Sequence, residues 1–400
     1  MFAVLSSKLS SLGQLALVTV VAATLGCGVP STRSASWTEP TAHPFTTGPY
    51  IIFGGPDKAF IALKAGLPAA PVVHWWVTDS ETPGAVPSDA KTATAVKEND
   101  LWVATLTGLP PVKYIHYRVT STKGATKPHT FRVGVPKGES FRFAAFGDTR
   151  TGHSVHRAVV EAVAREHIEF FVLTGDMVER GGKQHQWDRF FQIERPLLES
   201  TPVIPAIGNH DIGRDYFGRY FLLDKWTNGR RYYYHDWGNL RIVVIDGGIE
   251  CRRGCEQYAF VRKALKEGAA KGMLMIIALH WPPYSSGAHG SNKLVQKPVS
   301  ELADLYGVEV VIAGHDHNYE RTKRIKGTTY IVSGSAGAPI RPVRPRSFSA
   351  AARTEPHYVL FDVENGRMIM RAINLRGDTF DTFRIEPNPP AEQREASGRK

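Results

Sequence analysis

Two histidines separated by one residue follow directly on an apolar run, Val308-Glu309-Val310-Val311-Ile312-Ala313-Gly314-His315-Asp316-His317. The run is rich in β-branched residues and stops at a glycine, the pattern of a buried strand ending in a tight turn. Imidazoles at i and i+2 at a sheet edge can each face a different metal ion. Two such histidines alone are more often plain surface residues. Their weight comes from four other segments: Gly147-Asp148-Thr149-Arg150, Gly175-Asp176-Met177-Val178-Glu179-Arg180-Gly181, Gly208-Asn209-His210-Asp211 and Leu279-His280-Trp281. Each places ligand-type side chains at the end of an expected strand, where ligands collect in open α/β sheets. Any one Gly-Asp pair is a common turn; five such ends in one chain are hard to obtain by chance.

Mixed carboxylate, amide and imidazole donors suit Fe, Mn or Zn and do not select among them. A carboxylate can bridge two metal ions roughly 3.5–4 Å apart, which lowers the pKa of a shared water and polarises a phosphoryl group. His210, next to Asn209, would then protonate a leaving alkoxide.

The elements that must position these residues are strands alternating with helices. Strands are expected at 141–146, 169–174, 203–207, 240–245, 273–279, 308–313 and 329–332, with a closing hairpin over 359–374. Val155, Ala158, Val159, Ala162 and Val163 mark an amphipathic helix, and further helices are expected at 257–266 and 299–306. Upstream, short alternating runs at 50–53, 72–77, 101–106, 113–119 and 130–133 are separated by Gly, Pro, Asp and Asn, with no helical pattern between them. They point to a small all-β sandwich over 49–136, with the boundary at Pro136-Lys137-Gly138 and the catalytic domain over 139–386. Leu109-Pro110-Pro111 followed by Tyr114 and Tyr117 is similar to the corner tyrosine of fibronectin type III and immunoglobulin-like sandwiches. His74, His116 and His129, with no carboxylate at ligand spacing, read as strand or loop histidines.

The N-terminus reads as an export leader. Lys8 precedes an apolar stretch at 12–25, too short to span a membrane. Small residues before Cys27 resemble a bacterial lipoprotein cleavage site, which would place a lipid anchor on that cysteine. Ordinary signal-peptidase cleavage is the alternative; a periplasmic, membrane-anchored or secreted protein is expected. Residues 28–48 read as a Ser/Thr/Pro-rich tether and 387–400 as a disordered tail. In an oxidising compartment Cys251 and Cys255 can close a small disulfide loop or remain free thiols. The net charge of +11 suits an anionic partner, but no Lys/Arg run interleaved with aromatics favours nucleic acid.

The five blocks look like those of the calcineurin-like metallophosphoesterases. The upstream sandwich and Gly314-His315-Asp316-His317-Asn318-Tyr319-Glu320-Arg321 are more narrowly similar to purple acid phosphatases. The resemblance implies an α+β fold, a four-layer α/β/β/α sandwich preceded by an immunoglobulin- or fibronectin-like domain. It implies that Asp148, Asp176 and His317 hold a first metal ion, and that a bridging Asp176 joins Asn209, His280 and His315 on a second. His210 takes the place of the proton donor, with Asp211 orienting it, and Arg150, Arg180 and His289 are candidate phosphate contacts. Two departures stand out. The tyrosine that purple acid phosphatases carry three residues after the bridging aspartate is Glu179, and a histidine common two residues after the first aspartate is Arg150. The tyrosinate-to-iron colour should therefore be absent; His153 and His156 could supply the missing ligand or be plain helix residues. The expected activity is hydrolysis of small phosphate monoesters by a metal-bound hydroxide. The alternatives are a phosphodiesterase on the same scaffold, its choice of ester set by loops around His289 and Tyr216-Phe217, or a non-catalytic surface-binding protein with a vestigial site.

Overall fold

The structure is a computed structural model that describes residues 44–249, 251–390 and 392–393. The leader, Cys27 and most of the tether lie outside the described residues.

The described chain begins with strands: β1 (Thr47–Gly55), β2 (Lys58–Lys64), β3 (Val72–Thr78), β4 (Lys91–Thr94), β5 (Val96–Glu98), β6 (Leu101–Thr107), β7 (Tyr114–Ser121), β8 (Gly124–Ala125) and β9 (His129–Phe131). They pair antiparallel into two sheets, β1-β2-β6-β5 and β4-β3-β7-β8, with β9 against β7. Ile51, Ile61 and Leu106 of the first sheet meet Val73, Ile115 and Val119 of the second in one core. The first sheet is also buried on its other face. Tyr50, Ile52, Phe60, Ala62, Leu101 and Val103 belong to the core that holds Trp187, Phe190 and Phe191 of the downstream part. This two-sided burial explains why β2 is apolar at consecutive positions, Ala59-Phe60-Ile61-Ala62-Leu63, between two lysines. Polar contacts frame the seam: the Tyr50 hydroxyl donates to the Tyr220 carbonyl at 2.8 Å, and Lys64 pairs with Asp188 at 2.6 Å. Tyr117 makes no corner within its own sandwich, because its hydroxyl donates to the Glu199 carbonyl at 2.8 Å, across the same seam. The chain from Pro44 onward forms one compact unit.

Beyond Lys137 come β10 (Phe141–Phe146), α1 (His153–Val163), β11 (Phe170–Leu173), α2 (Gln184–Leu198), β12 (Val203–Pro205), α3 (Tyr216–Tyr220), α4 (Leu223–Trp226), β13 (Tyr233–Trp237), β14 (Leu240–Val244), α5 (Glu256–Ala270) and β15 (Leu274–Ala278). They are followed by α6 (Lys293–Tyr306), β16 (Val310–Ala313), β17 (Tyr319–Thr322), β18 (Thr329–Ser333), β19 (Ser349–Arg353), β20 (His357–Glu364), β21 (Arg367–Asn374) and β22 (Thr379–Ile385). The strands form two sheets, β12-β11-β10-β20-β21-β22 and β13-β14-β15-β16-β18-β17-β19.

Alternation along the strands sets the layers. Ala144 and Phe146 of β10 face α1 and α2, while Phe143 and Ala145 join Ile242, Ile276 and Ile312 of the other sheet. On that sheet's far face, Val243, Ile277 and Val311 pack under α5 and α6. The order is helices, sheet, sheet, helices. Helix α6 starts where the Asn292 side chain accepts from the N–H groups of Leu294 and Val295, and stops at Gly307 in the left-handed conformation, φ 75°. Within each sheet the central strands run parallel, β10 with β11 and β12, and β14 with β15, β16 and β18. Their carboxyl ends therefore gather at one edge.

Two expectations need correction. Strand β1 starts at Thr47, inside the expected tether, and Phe45 before it is buried. The expected tail is held at its start: the Asn388 N–H donates to Glu309 at 3.0 Å and its amide to the Val308 carbonyl at 3.2 Å. Of the two states the sequence leaves open for Cys251 and Cys255, the structure has no disulfide between them; the Cys255 sulfur is turned to the start of α5, where it accepts from the Tyr258 N–H.

Candidate metal centre

Asp148, Asp176 and His315 each follow a glycine at a strand end, and each adopts the left-handed backbone, with φ of 55°, 54° and 71°. Side chains other than glycine rarely hold that conformation, and such strain concentrates where a structure needs a side chain aimed. The glycine before Asp176 is required twice over. Gly175 has φ 94°, and a Cβ there would lie 2.7 Å from His280 Nδ1. A Cβ on Gly314 would strike the Asp148 carboxylate. The glycines let the strand ends approach closely.

The approach brings six donors together. His280 Nε2 lies 3.4 Å from Asp176 Oδ1, 3.1 Å from Asn209 Oδ1 and 3.1 Å from His315 Nδ1. His317 Nε2 is 3.5 Å from Asp148 Oδ1. Donor atoms of Asp148, Asp176 and His280 all fall within 4.8 Å of one another. Backbone carbonyls aim the imidazoles: His280 Nδ1 bonds to Thr174 at 2.8 Å and His317 Nδ1 to Pro339 at 2.7 Å. That leaves each Nε2 facing the cluster, the arrangement that orients metal-binding histidines. Asp148 Oδ1 is buried with no hydrogen-bond partner among the described residues. Lone pairs packed this closely repel unless a cation or proton sits among them, so the donor set fits metal.

Charge follows the same logic. Burial raises Asp148 well above the ordinary carboxylate value; the His280 imidazole opposes this and the Asp176 carboxylate adds to it. Burial acts likewise on Asp176, but the His280 imidazole beside it outweighs burial and holds that carboxyl low. For His280 burial is outweighed by Asp176 and then Asp148, which lift it to about 9. Burial lowers His315 to about 3 and His317 to about 4, so both present neutral nitrogens.

His210 stands at the rim. Its Nδ1 bonds to the Glu179 carbonyl at 2.8 Å, leaving Nε2 3.9 Å from Asp176 Oδ2. Asp211 does not orient it. Its carboxylate accepts instead from the N–H groups of Asp176, Gly208, Met177 and Val178 at 2.8–3.2 Å, lacing the Asp176 loop to the Asn209 loop. Arg150 lies inside the cluster, paired with Asp176 and Glu179. Arg180 is exposed, and among the described residues no hydrogen bond or ion pair ties its guanidinium to the donors. His289 stacks on His315 with ring centroids 4.3 Å apart. His156 pairs with Glu194 of α2 at 2.7 Å and is a packing residue rather than a ligand; His153 opens α1.

The strand expected at 329–332 was given no part in the site, yet its end contributes a sixth loop. After β18 the loop at 334–338 clamps the Asp148 loop, the Ala338 N–H donating to the Asp148 carbonyl at 2.7 Å. Further along, Arg341 bonds to the His289 ring, while its N–H donates to the His317 carbonyl at 3.0 Å. The Gly334-Ser335-Ala336-Gly337 run after an apolar strand was the available signal. Asp316, read as a spacer, accepts from the N–H groups of His289 and Gly290 and so fixes that loop.

Comparisons with known proteins bear on the family and the fold. Residues 141–319 match the calcineurin-like phosphoesterase family. "Probable purple acid phosphatase 20" of Arabidopsis thaliana is 26% identical over 247 residues, 56% of this chain and 57% of the relative. "Probable inactive purple acid phosphatase 27" of the same plant is 28% identical over 215 residues, 43% of this chain and 35% of the relative. The chain thus spans about a third to just over half the length of these relatives. The solved purple acid phosphatase PPD1 from yellow lupin (Lupinus luteus) seeds shares the fold, with a TM-score of 0.69 at 19% identity over 85% of this chain and 74% of that one.

Proposed function

We propose that this chain, which carries a calcineurin-like metallophosphoesterase domain, is an exported metal-dependent hydrolase of small phosphate monoesters. The observation that carries the reading is the convergence of Asp148, Asp176, Asn209, His280, His315 and His317 from separate strand ends. Export is supported by the leader alone.

Bound metal supplies an acidified water and polarises the phosphoryl oxygens. The chain's own residues do the rest. Asp176 reaches both sides of the centre, one oxygen toward His280 and the other toward Arg150. His210, its Nδ1 held by the Glu179 carbonyl, directs Nε2 to where a leaving oxygen would depart and delivers a proton there. His289 and Arg341, bonded to each other at the rim, offer donors to a phosphate group. The organic part of the ester has room in a cavity of about 460 Å³ beside Arg150, lined in part by Met177, His185, Arg189 and Phe190.

The test is turnover of a nitrophenyl phosphate monoester and of the matching diester by metal-replete protein, with elemental analysis of the native preparation. The monoester should be the faster substrate. A faster diester would move the assignment to phosphodiesterase, and no turnover of either would leave the binding protein.

A further inference from the structure

Arg150 stands on the side of the centre where Asp148, Asp176 and His317 converge. Its Nε lies 3.3 Å from Asp176 Oδ2, one terminal nitrogen 3.5 Å from His317 Nε2, and the other pairs with the Glu179 carboxylate. The side chain is only 9% exposed. A guanidinium keeps its charge at any working pH and cannot coordinate a cation. We infer that the Arg150 guanidinium takes the place of one of the two cations, so that the resident complement is a single divalent ion on Asp176, Asn209, His280 and His315.

The inference rests on the metal-binding reading above and narrows it. Three carboxylates surround the site, those of Asp148, Asp176 and Glu179, against one fixed positive charge on Arg150. A second divalent ion would have to displace the guanidinium or sit beside it, where like charges repel strongly for want of solvent. Lack of room does not force the arrangement, because a cavity of about 460 Å³ adjoins Arg150. The side chain stays inward because Glu179 and Asp176 both pair with it. His317 keeps its Nε2 toward this charge, and Asp148 acts through its own charge and through the His315 N–H that it accepts at 2.9 Å.

The experiment counts metal. Chelator-stripped full-length protein is reloaded with Mn²⁺ or Zn²⁺, dialysed and analysed for metal per chain, and the Mn²⁺ form is examined by electron paramagnetic resonance. The wild type should retain one ion and give an isolated Mn²⁺ spectrum. Arg150→Gln, which keeps much of the side chain's bulk and loses its charge, should retain two and give the spectrum of an exchange-coupled pair. Two ions in the wild type would overturn the inference, and so would one ion in both proteins. No retained metal in the wild type would instead discard the metalloenzyme reading beneath it. Should Arg150→Gln fail to fold, the wild-type count and spectrum still decide.

Discussion

His210 has its Nδ1 tied to a backbone carbonyl and its Nε2 turned to the cluster, 3.9 Å from Asp176 Oδ2, which gives a proton donor a fixed aim. Replacing it with glutamine removes the transferable proton and leaves the metal donors in place. Turnover of alkyl phosphates should then fall roughly 10²–10⁴-fold. A nitrophenyl ester, whose leaving group needs no proton, should lose far less, and metal content should not change. Equal losses on both esters would refute the assignment. Around this residue the sequence was legible as to place: Asp148, Asp176, Asn209, His280, His315 and His317 stand at the ends of apolar runs, and the strand ends bring them together. It was illegible where a role consists of bonding distant backbone. Nothing local to Asp211 announces that its carboxylate serves N–H groups more than 30 residues away. The two departures from the family pattern, Arg150 and Glu179, lie 29 positions apart and meet as an ion pair, which only coordinates reveal.

At the scale of elements, the parallel strands of the second sheet were legible because runs such as Met273 to Leu279 are apolar throughout. Helix α2 was not, although Trp187, Phe190, Phe191, Glu194, Leu197 and Leu198 fall on one face. Glu194 breaks the apolar stripe and Pro196 argues against a helix, yet the carboxylate is buried against His156 and the proline sits in the last turn. Strand β13 carries a different consequence. Its His235 stacks on Phe53 of β1 with centroids 4.0 Å apart, and burial pushes it down to about 4 despite the neighbouring Asp236. An unfolded histidine titrates near 6.5, so the unfolded chain takes up the proton first as pH falls. Stability from this contact is complete above about pH 6.5 and fades as pH drops through 4, by at most about 3 kcal/mol. His235→Phe should flatten part of that loss in thermal melts from pH 7.5 to 4.5. Parallel curves for the two proteins would refute the interfacial role.

The whole molecule differs from the sequence reading in its seam. The change from strands alone to alternating strands and helices at Pro136-Lys137-Gly138 is plain in the sequence, and the upstream sheets do enclose a core of their own, but one of them is also buried on its outer face. What covers the outer face of a sheet is not local information, and here the cover is α2 and α3. The one available clue was the unbroken apolar run of β2. Lys137 itself is exposed, together with the residues on either side of it. Tryptic nicking there should cut the chain without parting it: the two pieces should co-elute on gel filtration and keep hydrolysing ester until denaturant is added. The upstream strands behave as a lining sewn into the fold, and homologous exchange of that half alone would tear open the wall behind α2.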